Sequence, residues 1–302
     1  MFIVQNRFFF FLFTGALTVA AILALVLWTP KLSIDFTGGS LTEVTYTDSR
    51  PALSIIQSDI APLALGEVSS RESGDTGVVL RTHSLTPEEH NALLTALTEG
   101  GKLSITETRF TSIGPSLGSE LATKALYALF SVIGAIVLYI AWAFRKVSKP
   151  VSSWVYGFSV IVILLHDLLI PAGIYAIIAH FTGAQIDTLF VVALLAILGY
   201  SVNDTIVIFD RVREHLEKNE KVGQKQLFSE VVGRSITETL GRSINTSLTV
   251  VLALAALAFF GSPMTVHFAL VLLAGVVAGT YSSILLAAPL LVPLSRVFTK
   301  EA

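Results

Sequence analysis

The chain has 302 residues, of which 53% are hydrophobic and only 14% are charged. Because an ordinary soluble domain has about 25% charged residues, this composition excludes a soluble globule, a disordered chain and a nucleic-acid-binding protein. The sequence contains no cysteine, which excludes disulfides, thiolate metal sites and a thiol nucleophile. We expect an integral membrane protein with neither a metal centre nor a bound cofactor.

Six stretches are apolar and long enough to cross a bilayer, which requires about 20 residues of helix. In chain order these spans are residues 8–28, 125–144, 154–179, 188–209, 245–260 and 266–292. A secretory signal peptide is the alternative interpretation of the first span. Its apolar run is longer than a usual signal sequence, however, and no small-x-small cleavage site follows it. We therefore interpret it as a retained anchor in a multi-pass membrane protein.

Lysine and arginine are distributed unevenly among the loops. If both termini are cytoplasmic, thirteen of the 20 basic residues lie on the inner side, and the two short outer turns, 180–187 and 261–265, carry none. A cytoplasmic excess of positive charge sets the orientation of membrane proteins. The distribution therefore predicts cytoplasmic termini and a cytoplasmic loop at 210–244, which we interpret as interfacial helix.

The chain is predicted to comprise an N-terminal anchor, an outer domain and a membrane domain, at residues 1–30, 31–117 and 118–302. Within the outer domain, strand and helix patterns alternate at residues 34–46, 52–60, 68–70, 77–82, 86–97 and 103–110. The resulting βαββαβ order is typical of a ferredoxin-like α+β domain. Two roles stay open for this domain, a module that touches a passenger or partner and a simple spacer. It shows no catalytic triad, so we do not expect an enzyme.

Charged residues within the spans are functional candidates, because placing a charge in hydrocarbon costs about 2.5–3.5 kcal/mol on insertion scales. Asp204, beside Asn203, lies inside span four, and Arg242 begins a polar stripe that includes Asn245 in span five. We expect Asp204 and Arg242 to share a depth near the inner side. The pair is either a proton switch, in which protonation follows the separation of the two groups, or a static ion pair that fixes helix register.

His166 and Asp167 form a second candidate near the middle of span three, shortly before Pro171. Histidine titrates near physiological pH, and a proline within a helix frees a backbone carbonyl. A structural hydrogen bond explains this pair equally well. Gly275 and Gly279 match the GxxxG pattern for close helix packing, although such matches are common in apolar sequences.

Five motifs occur along the chain: SIDFTGG at 33–39, IGPSLG at 113–118, LHD at 165–167, GYSVNDTIVIFDRVRE at 199–214 and RSINTSLT at 242–249. Together they resemble the SecF family of the bacterial Sec translocase, which belongs with SecD in the RND superfamily. The resemblance covers nearly the whole chain. It implies an RND-like domain of six transmembrane helices in the bacterial inner membrane, with residues 31–117 forming a periplasmic domain.

The resemblance also implies partners and a task. The partners are SecD, the SecYEG channel, membrane lipid and a preprotein on the periplasmic side, and the task is to promote late steps of export with the proton motive force. Asp204 and Arg242 would act beside an aspartate that SecD supplies. Motion would then reach the outer domain through spans one and two. An RND-type proton antiporter for a small molecule and a non-conducting assembly factor are the alternatives.

Overall fold

The computed structural model describes residues 2–145, 151–224 and 226–298. Lys146, Lys149, Lys225 and Lys300, which belong to the count of inner basic residues, lie outside the described residues. The helices are α1 (Phe2–Gln5), α2 (Arg7–Leu27), α3 (Ile34–Thr37), α4 (Leu53–Ile60), α5 (Pro87–Leu97), α6 (Pro115–Ala143), α7 (Ser153–Thr182), α8 (Thr188–Val222), α9 (Phe228–Phe260), α10 (Pro263–Ser282) and α11 (Ala288–Phe298). A 3-10 turn (Ala61–Leu63) follows α4, and a π-helical segment (Ser283–Ala287) joins α10 to α11. The strands are β1 (Gly39–Tyr46), β2 (Ser69–Ser73), β3 (Gly77–Thr82) and β4 (Ile105–Ile113).

Within the described residues, six helical stretches are long and apolar enough to span a membrane. They are α2, α6, α7, α8, α9 and the continuous run from α10 into α11, so the prediction of six spans is confirmed. In the region 210–244, which is predicted to be interfacial helix, α8 and α9 extend inwards and leave only residues 223–227 between them. Ion pairs at helical spacing, such as Arg213 with Asp210 at 2.7 Å, support these extensions.

The chain divides into two compact units. The membrane unit contains Met1–Lys31, Tyr127–Gln185 and Leu189–Ala302, and the sheet unit contains Leu32–Leu126 and Ile186–Thr188. The sheet unit thus extends beyond the predicted domain limits of 31–117, because backbone and side-chain hydrogen bonds tie residues 186–188 to the segment that follows Leu32.

The sheet unit has the predicted ferredoxin-like topology. Its four strands are antiparallel in the order β2-β3-β1-β4, and α4 and α5 occur at the predicted places in the chain. Strand residues such as Val44 and Leu80 form its apolar core with helix residues such as Ile56 and Leu93. The α+β prediction is therefore confirmed.

Local capping signals explain where elements of the sheet unit begin. The Thr86 hydroxyl accepts from the Glu89 amide at 3.3 Å, and the Glu89 carboxylate accepts from the Thr86 amide at 2.8 Å, which forms a capping box at the start of α5. The first strand begins later than predicted, at Gly39, because the Ser33 hydroxyl caps the helical turn α3 by accepting from the Asp35 amide.

In the membrane unit, α2 approaches α7 closely where Gly173 faces Ala21. A Cβ atom on Gly173 would lie 2.6 Å from the Ala21 Cα atom. Replacing Gly173 with Ala is therefore expected to force the helices apart and to destabilise the protein by about 1–3 kcal/mol. The measurement is the midpoint of thermal unfolding of the full chain in detergent.

Gly15→Ala is the matched control, because a Cβ atom on Gly15, which lies in α2, would meet nothing within 4 Å. This variant is expected to unfold at the wild-type temperature or slightly above it, since Ala favours helix more than Gly does. Equal midpoints for the two variants would contradict the close approach of α2 and α7.

Candidate functional site

Asp204 lies in the interior of the membrane unit. Its side chain projects from α8 and is only 7% exposed. One carboxylate oxygen accepts a hydrogen bond of 2.5 Å from the Ser243 hydroxyl of α9, and the other accepts one of 2.5 Å from the Ser283 hydroxyl of the π-helical segment. Three transmembrane elements therefore meet at one carboxyl group.

The expected pairing of Asp204 with Arg242 is not formed. Arg242 is exposed, and no ion pair between described residues involves it. Its neighbour Ser243 contacts Asp204 instead. Successive residues of a helix point about 100° apart, so only one of the two can face Asp204. On α9, Arg242 is therefore the residue next to the one that contacts Asp204, but its side chain points from a different face of that helix.

Arg242 lines a charged cavity of about 370 Å³ between α8 and α9. The other charged residues of its lining are Asp210, Arg211, Glu214 and Glu238. The Arg211 guanidinium pairs with Glu214 on its own helix and with Glu238 on α9. The cavity is lined by the C-terminal half of α8 and the N-terminal half of α9. We predict that these parts of the two helices face the cytoplasm.

Asp167 is the second buried carboxyl group, with none of its surface exposed. One of its oxygens lies 2.8 Å from Nδ1 of His166. Its other oxygen accepts from the hydroxyls of Ser201 and Ser282, the latter at 2.9 Å. The predicted His166–Asp167 pair is thus present as a direct contact, with two serine donors that the sequence analysis did not include.

The hydroxyl group of Tyr281 extends this second cluster. It lies 3.1 Å from Nε2 of His166, which is itself only 4% exposed. If the tyrosine donates to Nε2, the neutral imidazole carries its proton on Nδ1 and donates to Asp167. Tyr281 also lines a mainly apolar cavity of about 470 Å³, so it connects the buried histidine with that cavity.

Two consecutive serines join the two carboxyl groups. Ser282 donates to Asp167 and Ser283 donates to Asp204. Asp204 also lies one helical turn after Ser201, the other serine that donates to Asp167. The two clusters therefore share α8 and the end of α10, where the backbone changes to a π-helix over Ser283–Ala287. Single π-helical turns within α-helices are frequent at functional sites.

The serine hydroxyls can form a hydrogen bond with a carboxyl group in either protonation state. A hydroxyl donates to an ionised carboxylate and can instead accept from a protonated carboxyl group. When it accepts, its own hydrogen needs another partner. The Thr280 carbonyl oxygen lies 2.9 Å from the Ser283 hydroxyl, and the Gly279 carbonyl oxygen lies 3.2 Å from the Ser282 hydroxyl. Rotation of each hydroxyl would therefore satisfy both protonation states.

Close packing of α10 on α8 brings these groups together. A Cβ atom on Gly279 would lie 3.0 Å from Cβ of Ser201, and one on Gly275 would clash with the Ile197 side chain. The GxxxG motif thus permits the contact that places Ser201 and Ser282 on the same carboxylate. Such close approach is the usual effect of small residues between membrane helices.

The remaining predicted residues lie outside the two clusters. Asn203 and Asn245 are exposed. The clusters instead contain five residues that are not among the predicted site residues: Ser201, Ser243, Tyr281, Ser282 and Ser283. The consecutive Tyr-Ser-Ser within an otherwise apolar span was a signal for three of them. Among the described residues, no group of three His, Cys, Asp or Glu side chains is arranged to hold a metal ion.

Comparison with known proteins identifies the family. The family described as "Protein export membrane protein SecD/SecF, C-terminal" matches residues 93–297. The protein translocase subunit SecF of Thermobaculum terrenum is 38% identical, and the match covers 96% of this chain and 92% of that relative. The chain belongs to the SecD/SecF family. The SecF subunit of Anaerolinea thermophila is another relative, at 35% identity over 96% of this chain and 92% of its own length.

A solved structure of the SecD/SecF family confirms the fold class. The crystal structure of SecDF from Thermus thermophilus, described as a translocon-associated membrane protein, matches with a TM-score of 0.80 and 29% identity. The match covers 97% of this chain but only 38% of the SecDF chain. The chain is similarly 31% identical to the SecDF of Bacillus subtilis and spans 37% of its length. Other family members thus combine a region like this chain with a longer polypeptide.

Proposed function

We propose that this chain is an accessory subunit of the Sec preprotein translocase that works with a SecD partner. In this proposal it uses the proton motive force to promote late steps of export across the bacterial inner membrane. The observation that carries the proposal is the buried carboxyl group of Asp204, held by two serine hydroxyls in a member of a protein-export family. A buried ionisable residue within a membrane helix is a functional candidate by default.

The chemical step in this proposal is reversible protonation of Asp204. Protonation would turn the Ser283 hydroxyl from donor to acceptor and send its hydrogen to the Thr280 carbonyl. The bond that holds α8 to the π-helical segment would then change from a charge-assisted hydrogen bond to a neutral one, which is weaker. Each proton cycle would therefore loosen and restore the contact between α8 and the last span.

In this proposal, the SecD partner lies beside Arg242. This arginine is exposed on α9 at a position that we predict to lie near the inner side of the membrane. An unpaired guanidinium there is costly in lipid unless a carboxylate or water meets it. We propose that the aspartate implied for SecD faces Arg242, and that the SecYEG channel and the emerging preprotein are the further partners. The sheet unit would then lie in the periplasm, with both termini in the cytoplasm.

The test uses inverted inner-membrane vesicles that contain SecYEG and SecD but lack this subunit. Adding the full chain is expected to increase several-fold the amount of preprotein that completes translocation, provided that a proton motive force is present. A protonophore should remove that increase. An increase that survives the protonophore would support a non-conducting assembly factor, and no effect on export at all would leave the small-molecule antiporter as the better interpretation.

A further inference from the structure

We propose that Asp35 is a positioning residue that couples α8, the helix of Asp204, to the sheet unit. This inference rests on the proposed function. One oxygen of the Asp35 carboxylate accepts from the backbone amide of Thr188 at 2.9 Å and from the Thr188 hydroxyl at 3.0 Å. Thr188 is the first residue of α8. A residue that precedes β1 therefore caps a transmembrane helix that begins 153 positions later in the chain.

The cap is chemically suited to hold a helix end. The first amides of a helix have no partner within the helix, and the N-terminus carries a partial positive charge, so a carboxylate is favoured there. The backbone reinforces the contact, because the Ser33 amide donates to the Ile186 carbonyl at 2.8 Å and Leu32 forms a parallel bridge with Ile186. The start of α8 is thus fastened by both backbone and side chain.

The segment that carries Asp35 is itself held firmly. Ile34 and Phe36, on either side of it, are each only 7% exposed. Gly38 has a φ of +76°, and a Cβ atom there would lie 2.6 Å from Cα of Pro115, the first residue of α6. A Cβ atom on Gly118 would likewise lie 2.6 Å from the Gly38 nitrogen. These glycines allow the segment to pack directly on the start of α6.

The geometry supplies a route for movement in addition to the predicted one through spans one and two. Thr188 and Asp204 are sixteen positions apart on one continuous helix, or about 24 Å at the rise of an α-helix. A shift of α8 when Asp204 changes its protonation state would therefore move Thr188 and, through its two hydrogen bonds, Asp35. The segment leads directly into β1, which is a central strand of the sheet. Spans one and two would then not be the only mechanical links to the sheet unit.

The test measures coupling in the same vesicles. Asp35→Ala is expected to reduce the stimulation of export by the proton motive force at least five-fold, while proton movement through the SecD-containing complex continues. Asp35→Asn keeps an oxygen that can accept from Thr188, so it should retain more than half of the stimulation. A merely structural role would not separate proton movement from export in this way. Full stimulation in Asp35→Ala would overturn the proposal.

A reversible cross-link covers the case in which Asp35→Ala accumulates poorly. Because the chain has no cysteine, the double variant Asp35→Cys with Thr188→Cys offers a short bis-methanethiosulfonate reagent no other thiol within this chain. The joined form is expected to stimulate export and the reduced form to lose that stimulation, whereas equal activity of both forms would overturn the proposal. Asp204→Asn is measured in parallel, since an inactive Asp35→Ala together with a fully active Asp204→Asn would count against the proposed function itself.

Discussion

Replacing Asp204 with Asn is expected to abolish the stimulation of export by the proton motive force. Export should fall to the level of vesicles that lack the subunit, because an amide in place of the carboxyl group can neither release nor take up the proton. The measurement is the rate of completed preprotein translocation with and without a protonophore. In the mutant the two rates should be equal.

The folded protein should survive this substitution. The amide of Asn can accept from one of the serines Ser243 and Ser283 and donate to the other, so both buried hydroxyls keep a partner. The midpoint of thermal unfolding is therefore expected to stay close to that of the wild type. Glu217→Gln is the matched control, because it removes a carboxylate from an exposed position of the same helix, and it should leave stimulation unchanged.

Two results would contradict this interpretation of Asp204. Normal stimulation in a stable Asp204→Asn variant would show that protonation of this group is not required. Equal loss of stimulation in Glu217→Gln would show that the assay responds to any change of charge on α8. The variant Ser283→Ala keeps Asp204 but removes one of its two serine donors. Its loss of stimulation is expected to be intermediate, because Ser243 still contacts the carboxylate.

Much of the architecture could be predicted because it depends on local patterns. The six spans follow from apolar runs of sufficient length, and the start of α5 follows from the capping residues Thr86 and Glu89. The ends of α8 and α9 could not be placed in this way, since hydropathy marks where apolar sequence ends and not where the helix ends. Their charged extensions, stabilised by pairs such as Arg234 with Glu238, continue as helix.

The site was only partly predictable, for reasons that concern single residues. Asp204 and Asp167 were recognised because a carboxylate within a membrane span is exceptional. The sequence predicts Arg242 as the partner of Asp204, whereas Ser243 makes the contact. Which of these two neighbours faces Asp204 depends on the rotation of α9 about its axis. Nothing in the local sequence links Asp35 to Thr188, which is 153 positions away. Contacts of that separation become visible only in the folded chain.

The second large effect is expected at Asp167. Replacing it with Asn should reduce stimulation by the proton motive force at least ten-fold if the cluster of Asp167, His166 and Tyr281 takes part in proton transfer. The structural reason is that two consecutive serines donate hydrogen bonds to the two carboxyl groups, Ser282 to Asp167 and Ser283 to Asp204. Because these serines are adjacent in the chain, a change of hydrogen bonding at either carboxyl group acts on the same stretch of backbone.

A structural role for Asp167 makes a different prediction, and a second variant distinguishes the two roles. Asp167→Ala leaves His166 and Ser201 without their buried acceptor, and each such loss costs about 1–3 kcal/mol. This variant should unfold at a clearly lower temperature under either role. Asp167→Asn keeps an acceptor, so it should remain stable in detergent. A stable but inactive Asn variant would assign Asp167 to proton transfer, whereas a stable and fully active one would show that this carboxyl group only holds α7, α8 and α10 together.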